Sequence, residues 1–173
     1  MESFDVGIMI GSNSDYPIIE ESIQIFDRFG IPYIITITSA HRTPQRTEKF
    51  IKYCEDRSVK IFIAAAGAAA HLPGVVASMT NLPVIGVPIA ATALNGIDAL
   101  YSIVQMPGGI PVATMPIGKA GAKNAAIFAL QILSLANSEL RLKLNNFRLE
   151  MKDSIVNQAE VLKIKNNNVF IDF

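Results

Sequence analysis

The sequence predicts an α/β fold in which a five-stranded parallel sheet is covered by helices on both faces. Three observations predict it. Short runs rich in Val, Ile and Ala recur along the chain, and a stretch with helical spacing follows each, giving the order βαβαβαβαβα. These runs are nearly continuous in apolar character instead of alternating, as expected of strands buried on both faces. Between residues 61 and 136 the only charged side chains are Asp98, Lys119 and Lys123, so the middle of the chain is suited to a buried sheet.

Taken in order, residues 4–10 form the first strand, which stops abruptly at Gly11. Residues 15–29 form a helix: Ser14 or Asp15 can cap it, Pro17 suits its first turn, and Ile18, Ser22, Ile25 or Phe26, and Phe29 recur on one side. Gly30 ends that helix, and the β-branched residues 31–38 form the second strand. Thr43 before Pro44 is a cap and first-turn pair for a second helix, with Phe50, Ile51 and Cys54 on its inner side. The third strand is expected at 59–64, a short helix around 75–79, and the fourth strand at 84–87, ending at Pro88. A helix near 95–104, a fifth strand at 110–114 and an alanine-rich helix after Gly118 complete the series. Residues 1–136 are thus expected to form a single α/β domain, without internal repeat or linker. Residues 137–173 carry more charge and an apolar stripe of Leu140, Leu144, Phe147, Met151 and Ile155 at helical spacing. They are expected to form a helical extension and tail packing on the domain or on a neighbouring subunit, with a polar turn at Asn166, Asn167 and Asn168 before a short apolar end.

Composition narrows the function classes. The 173 residues suit one well-packed domain, and the net charge of +0 requires any nucleic-acid-binding face to be local. Hydrophobic residues make up 50% and charged residues 17%, which points either to extensive burial against other subunits or to an unusually apolar central sheet. The single cysteine, Cys54, excludes an internal disulfide and reads as a small buried hydrophobe. No secretory signal is recognisable, and prolines and Asn81 interrupt the long uncharged region against a membrane-spanning helix. A soluble protein of a reducing compartment is the resulting expectation.

Four stretches carry residue types suited to chemistry. Gly11, Ser12, Asn13, Ser14 and Asp15 follow the first strand, where hydroxyls and helix-start N–H groups can hold a phosphate and Asp15 can accept from a ribose hydroxyl; the same residues also cap helices without any ligand. His41 and Arg42 follow the second strand, either pairing a proton carrier with a fork of anion donors or forming a plain surface basic pair, and Arg46, one turn further on, is expected to add to this positive corner. The run AAAGAAAHLPG at 64–74 lets backbone approach a small ligand, with His71 either functional or simply packed. Residues 93–121 bring several glycines around the fifth strand, where Asn95 or Gln105 can hydrogen-bond a heterocycle or the small residues can simply pack subunits together, and open a helix with Lys119. Neither a GxGxxG nor a GxxxxGK[ST] motif is present, which weighs against nicotinamide dinucleotides and nucleoside triphosphates. Two histidines without paired carboxylates make a poor metal site, and Asp98 has no spacing that demands a catalytic triad.

Six ordered motifs carry a resemblance: GSNSD at 11–15, SAHRTP at 39–44, GAAAHLPG at 67–74, LNG at 94–96, SIVQMPGGIPVAT at 102–114 and IGKAGAKNAA at 117–126. Together, over residues 4–150, the chain closely resembles the class I N5-carboxyaminoimidazole ribonucleotide mutase family, also called the catalytic subunit of phosphoribosylaminoimidazole carboxylase. The resemblance implies a three-layer αβα sandwich with a flavodoxin-like sheet. It also implies a cytoplasmic homo-octamer with shared active sites, a reaction of purine (IMP) biosynthesis needing no metal, cofactor or ATP, and coupling to an ATP-dependent synthase that supplies the substrate. His41 matches the catalytic histidine, and His71 the loop histidine that helps enclose carbon dioxide. Ser12 and Arg42 match the phosphate site and Asp15 the ribose site, while Ser14, Ser39, Gly67 and Leu72 fall within the substrate-binding motifs.

The implied reaction converts N5-carboxyaminoimidazole ribonucleotide to 4-carboxy-5-aminoimidazole ribonucleotide by decarboxylation and recarboxylation around a trapped CO2. The alternatives are direct carboxylation of 5-aminoimidazole ribonucleotide and, from another class, a flavin-binding electron carrier or a receiver domain. The latter needs clustered acidic residues at strand ends, where this chain has GSNSD and alanines. Ala65 and Ala68 stand where the resembled loop has glycine, Ala91 where many members have serine, and Gly108 where some have arginine. A positive φ at position 65 or 68 would make the methyl group consequential.

Overall fold

The structure, a computed structural model, describes residues 3–165. Its elements run β1 (Val6–Ile10), a 3-10 turn (Asn13–Asp15), α1 (Tyr16–Phe29), β2 (Tyr33–Ile37), α2 (Pro44–Glu55), β3 (Ile61–Gly67) and α3 (Leu72–Met79). They continue through β4 (Val84–Ile89), α4 (Ile97–Val104), β5 (Ala113–Thr114), α5 (Lys119–Leu133) and α6 (Ser138–Lys165). The described residues divide into two compact units between Ala129 and Leu130.

The first unit contains a parallel five-stranded sheet in the order β2-β1-β3-β4-β5. β1, β3 and β4 are buried along nearly their whole length, which explains their continuous apolar sequence. Alternate side chains serve opposite faces: Met9, Phe62, Ala64 and Ala66 join Ile51, Cys54, Leu72, Val76, Ala99 and Ile103 in one core cluster beneath α2, α3 and α4. α1 and α5 are tied together where Ser22 Oγ donates to the Ala122 carbonyl at 2.6 Å. The result is a three-layer αβα sandwich with a flavodoxin-like sheet, together with an additional C-terminal helix, as the sequence leads one to expect.

Several element boundaries move for identifiable reasons. β3 extends past Ala64 to Gly67 because Ala65, Ala66 and Gly67 remain paired with Val87, Pro88 and Ile89 of β4. β4 likewise passes through Pro88. The Pro88 carbonyl accepts from Gly118 N at 2.9 Å, so the missing proline N–H faces the side of β4 where β5 has already ended. β5 is reduced to two residues because Gly109, at φ 97°, shapes a turn from Pro107 to Ile110 and Pro111 lacks a donor. α3 begins at Leu72, earlier than expected, with Pro73 tolerated in its first turn. Gly30 does end α1, in the left-handed conformation at φ 69°.

In the second unit, Asn137 Oδ1 accepts from Leu140 N at 3.0 Å and caps α6, while Arg141 reaches the Ser134 carbonyl at 3.2 Å. Of the apolar stripe, Leu140, Leu144 and Phe147 are buried, whereas Met151 and Ile155 are 45% and 65% exposed. The expected Asn-rich turn and apolar end of the tail lie outside the described residues. Among the described residues no helix is long and apolar enough to cross a membrane.

Candidate active site

The strand order reverses between β1 and β3, and the ends of strands on either side of such a switch leave a crevice. A cavity of about 390 Å3 occupies it. Its walls come from the segments following β1, β2 and β4 and from the end of β3. Ser12, Ser14, Asp15, Ser39, His41, Arg42, Gly67, His71 and Leu72 all line it, so the residues singled out in the sequence converge on one place. Arg46 does not. Its Nε donates to the Ile37 carbonyl at 2.8 Å and its Nη2 to Thr36 Oγ1 at 2.9 Å, covering the end of edge strand β2. Asn95, Gln105 and Lys119 also lie outside the cavity lining; Lys119 pairs with Glu21 at 3.1 Å, which supplies the carboxylate its helix-opening position calls for.

The first wall is a hydroxyl-rich turn. Ser12 is extended, and its Oγ accepts from Ser14 N at 3.3 Å and from Ser14 Oγ at 3.0 Å, so Ser12 is the side-chain cap of the 3-10 turn that leads into α1. Asp15 precedes α1 without capping it and is buried. Burial raises its carboxyl above the ordinary range, opposed by hydrogen bonds from Ser12, Ser14 and Gly11. A buried acceptor beside hydroxyls suits an uncharged donor such as a sugar hydroxyl.

The second wall is fixed by a ladder of threonines. Thr38 and Thr47 are buried and their hydroxyl oxygens lie 2.8 Å apart, with Thr43 Oγ1 3.3 Å from Thr38 Oγ1. Thr43 is not a side-chain cap for α2. Its hydroxyl oxygen instead accepts from Ser39 N at 2.9 Å and donates to the Ser39 carbonyl at 3.2 Å, closing the loop that carries His41 and Arg42. Ser39 Oγ in turn accepts from Arg42 N at 3.3 Å and Arg42 Nε at 3.4 Å. This leaves the outer edge of the guanidinium for an anion.

The third wall is almost purely small and apolar: Ala66, Gly67, Ala68, Ala69, Ala70 and Leu72. His71 projects from it to His41. His41 Nε2 and His71 Nδ1 are 2.6 Å apart, with the rings edge to face at a centroid separation of 4.8 Å. One nitrogen of this contact carries the proton and the other accepts it, so the pair can hold and transfer a proton at the cavity. Among the described residues no group of three or more His, Cys, Asp or Glu side chains is placed to hold a metal ion.

A sequence profile described as AIR carboxylase matches residues 5–154. The chain belongs to the AIR carboxylase family. Two relatives illustrate the likeness. The N5-carboxyaminoimidazole ribonucleotide mutase of Pyrococcus horikoshii is 52% identical over 158 residues, covering 91% of this chain and 88% of that protein. The corresponding mutase of Escherichia coli K12 is 45% identical over 155 residues, covering 90% and 92%. Among solved structures, PurE of Treponema denticola superposes with a TM-score of 0.82 at 32% identity, covering 91% of this chain and 98% of that one.

Within this AIR carboxylase fold, the unusual alanines have different consequences. Ala65 is fully buried in β3 and has ordinary strand geometry, whereas Ala68 has φ 55°, a conformation that favours glycine. Ala91 lies against the cavity floor: a Cβ built on Gly67 would stand 2.4 Å from the Ala91 Cβ. Gly108 borders open space, so nothing near it depends on a small residue. Sequence reasoning missed the threonine ladder, although Thr38, Thr43 and Thr47 are spaced to meet at the start of a helix. It also missed Ser102, whose hydroxyl donates to the Ala69 carbonyl.

Proposed function

We propose that His41 is the proton carrier of an N5-carboxyaminoimidazole ribonucleotide mutase, an isomerase of purine biosynthesis that forms 4-carboxy-5-aminoimidazole ribonucleotide. The observation that carries this reading is the His41–His71 contact at 2.6 Å, in a cavity that also holds Ser12, Asp15 and Arg42. Arg42 and the Ser12 turn bind the phosphate, and Asp15 accepts from the ribose. Ser14, Ser39, Gly67 and Leu72 complete the substrate surface. The extended likeness to mutases supports this choice over direct carboxylation.

The carbamate end of the substrate then faces the alanine wall. Protonated His41 delivers its proton to N5, and the N5–carbon bond breaks with its electron pair remaining on nitrogen. CO2 and the aminoimidazole result, with His71 and the small-residue loop keeping CO2 in place. C4 attacks the CO2 carbon to form the new bond, and the C4 proton passes to His41, restoring both ring aromaticity and the starting protonation state. Confinement matters because recapture must outrun escape of the gas.

The reading extends to a cytoplasmic homo-octamer whose active sites are shared between subunits, and to a substrate supplied by an ATP-dependent carboxyaminoimidazole ribonucleotide synthase. Exposed Leu94, Ile97 and Tyr101, at 60%, 52% and 61%, support assembly because such side chains favour cover by another subunit. The exposed Met151 and Ile155 likewise support packing of the 137–173 extension on a neighbour. Light scattering on the full chain measures the assembly directly.

His41→Asn tests the proton-carrier role. Substrate binding is expected to persist while turnover falls by about 10²- to 10⁴-fold, the range for loss of a positioned acid and base. Full turnover in this variant removes His41 from the mechanism. At low bicarbonate, efficient use of the carbamate supports the mutase, whereas turnover limited by added CO2 identifies a direct carboxylase.

A further inference from the structure

The turn between β3 and α3 is unfavourable for its sequence. Ala68 and Ala70 have φ 55° and 33°, in the left-handed region where a methyl group is disfavoured, and Ala69 lies between them. The Ala70 methyl is buried in the core, and Ala70 N donates to the Gly67 carbonyl at 3.0 Å, so the far side of the turn is held by packing and by its own closure. Ala68 and Ala69 are exposed and have no such packing. His71, immediately beyond, depends on this turn for its approach to His41.

The missing restraint comes from α4. Ser102 Oγ donates to the Ala69 carbonyl, the one between the two left-handed residues. α4 is a firm anchor: Ala99 and Ile103 are fully buried, and Ile103 packs so closely that a Cβ on Gly86 of β4 would stand 2.4 Å from its Cγ2. Ser102 therefore carries a hydroxyl on a helix locked to the sheet and reaches across to a turn that is not.

We propose that Ser102 is a positioning residue for the mutase reaction, its hydroxyl strapping the Ala68–Ala70 turn to α4 so that His71 closes the CO2 space against His41. The proposal rests on the functional reading above and deepens it. Ser102 touches neither substrate nor CO2. Its effect is on the partition of trapped CO2 between recapture and escape, while phosphate and ribose recognition by Ser12, Asp15 and Arg42 is untouched.

Ser102→Ala and Ser102→Thr test this in the full chain. Two readouts are needed: amide hydrogen exchange in residues 67–72, and the ratio of 5-aminoimidazole ribonucleotide released to carboxylated product formed. For Ser102→Ala, exchange in 67–72 accelerates, and the release ratio rises by about 3- to 10-fold, the change that one neutral hydrogen bond carries. KM stays within about twofold of the parent. Ser102→Thr, which keeps the hydroxyl, returns both readouts toward the parent. Unchanged exchange in Ser102→Ala overturns the strap, and faster exchange with an unchanged release ratio overturns its role in the reaction. Loss of activity in proportion to loss of folded protein, without rescue by threonine, also overturns it. A parent protein that forms no carboxylated product refutes the functional reading instead, and hydrogen exchange still decides whether the strap exists.

Discussion

Gly67→Ala isolates the need for space at the junction of the sheet and the cavity. The new Cβ would stand 2.4 Å from Ala91 Cβ, 3.0 Å from the Ile89 carbonyl oxygen and 3.6 Å from Ala91 Cα. Non-bonded carbons are comfortable at about 3.5–4.0 Å, so the methyl and Ala91 overlap by roughly 1 Å. Relief by a rotamer is impossible because alanine has none, and Gly67 is paired in register with Ile89 on β4. Such overpacking costs about 1–3 kcal/mol, or about 2–12 °C in melting temperature for a domain of this size. Far-UV circular dichroism melts measure it. Ala91→Gly in the same chain removes the shortest contact but leaves the Ile89 carbonyl at 3.0 Å. The double variant is therefore expected to recover most, though not all, of the loss, with a coupling of about 0.5–3 kcal/mol. A Gly67→Ala melt within about 1 °C of the parent, or strictly additive behaviour of the pair, refutes the close-approach argument.

Asp15→Asn is expected to raise stability at neutral pH. Burial holds the folded carboxyl above its ordinary value, so ionised Asp15 opposes folding above both values, and that cost disappears as pH falls through the raised value into the ordinary carboxylate range. Urea melts at neutral and acidic pH should therefore show the advantage of the variant shrinking as pH falls; a constant or growing advantage contradicts the assignment. Arg42→Ala is expected to raise KM by about 10- to 100-fold through loss of charged hydrogen bonds, while Arg46→Ala leaves KM within about threefold because its guanidinium covers β2. Steady-state kinetics separate the two, and equal losses would place both arginines at the anion.

The layered fold was legible because buried parallel strands leave a strong trace: VGIMI, IFIAAAG and VIGVPI are apolar throughout and each precedes a helix. Boundaries were less legible where one residue type serves two purposes. Ala65 and Ala66 look like loop residues but extend β3, and Pro88 looks like a strand end but sits where its missing donor is not needed. The candidate site residues were legible as a set because each lies at or just beyond the end of a strand on the same rim. Their mutual contacts were not, since nothing in the spacing of His41 and His71 tells that their rings meet at 2.6 Å. Arg46 was misplaced for a related reason: one helical turn beyond Arg42 fixes its height but not its direction, and the unpaired carbonyl of Ile37 claims it. The outer part of the stripe on α6 shows that periodicity predicts an apolar face without identifying what covers it.

In the proposed mutase reaction, the division of charge within the cavity lets one small site both hold and destabilise the substrate. Of the side chains lining it, only Asp15 and Arg42 are ordinarily charged at neutral pH, and neither belongs to the wall of Ala66, Ala68, Ala69, Ala70 and Leu72. In that proposed binding mode, binding energy is gathered from the phosphate and ribose, whereas the carbamate is placed against groups that do not solvate an anion. Departure of CO2 disperses that carboxylate charge, so an apolar wall favours the step that a polar or cationic one would retard. The same wall offers CO2 no strong polar partner, leaving its confinement to shape alone. Shape at this wall depends on two left-handed alanines, on the space between Gly67 and Ala91, and on a serine hydroxyl reaching in from α4. An enclosure that must not bind its gas tightly has to hold it by the rigidity of backbone, and the residues maintaining that rigidity therefore lie outside the cavity as well as along its lining.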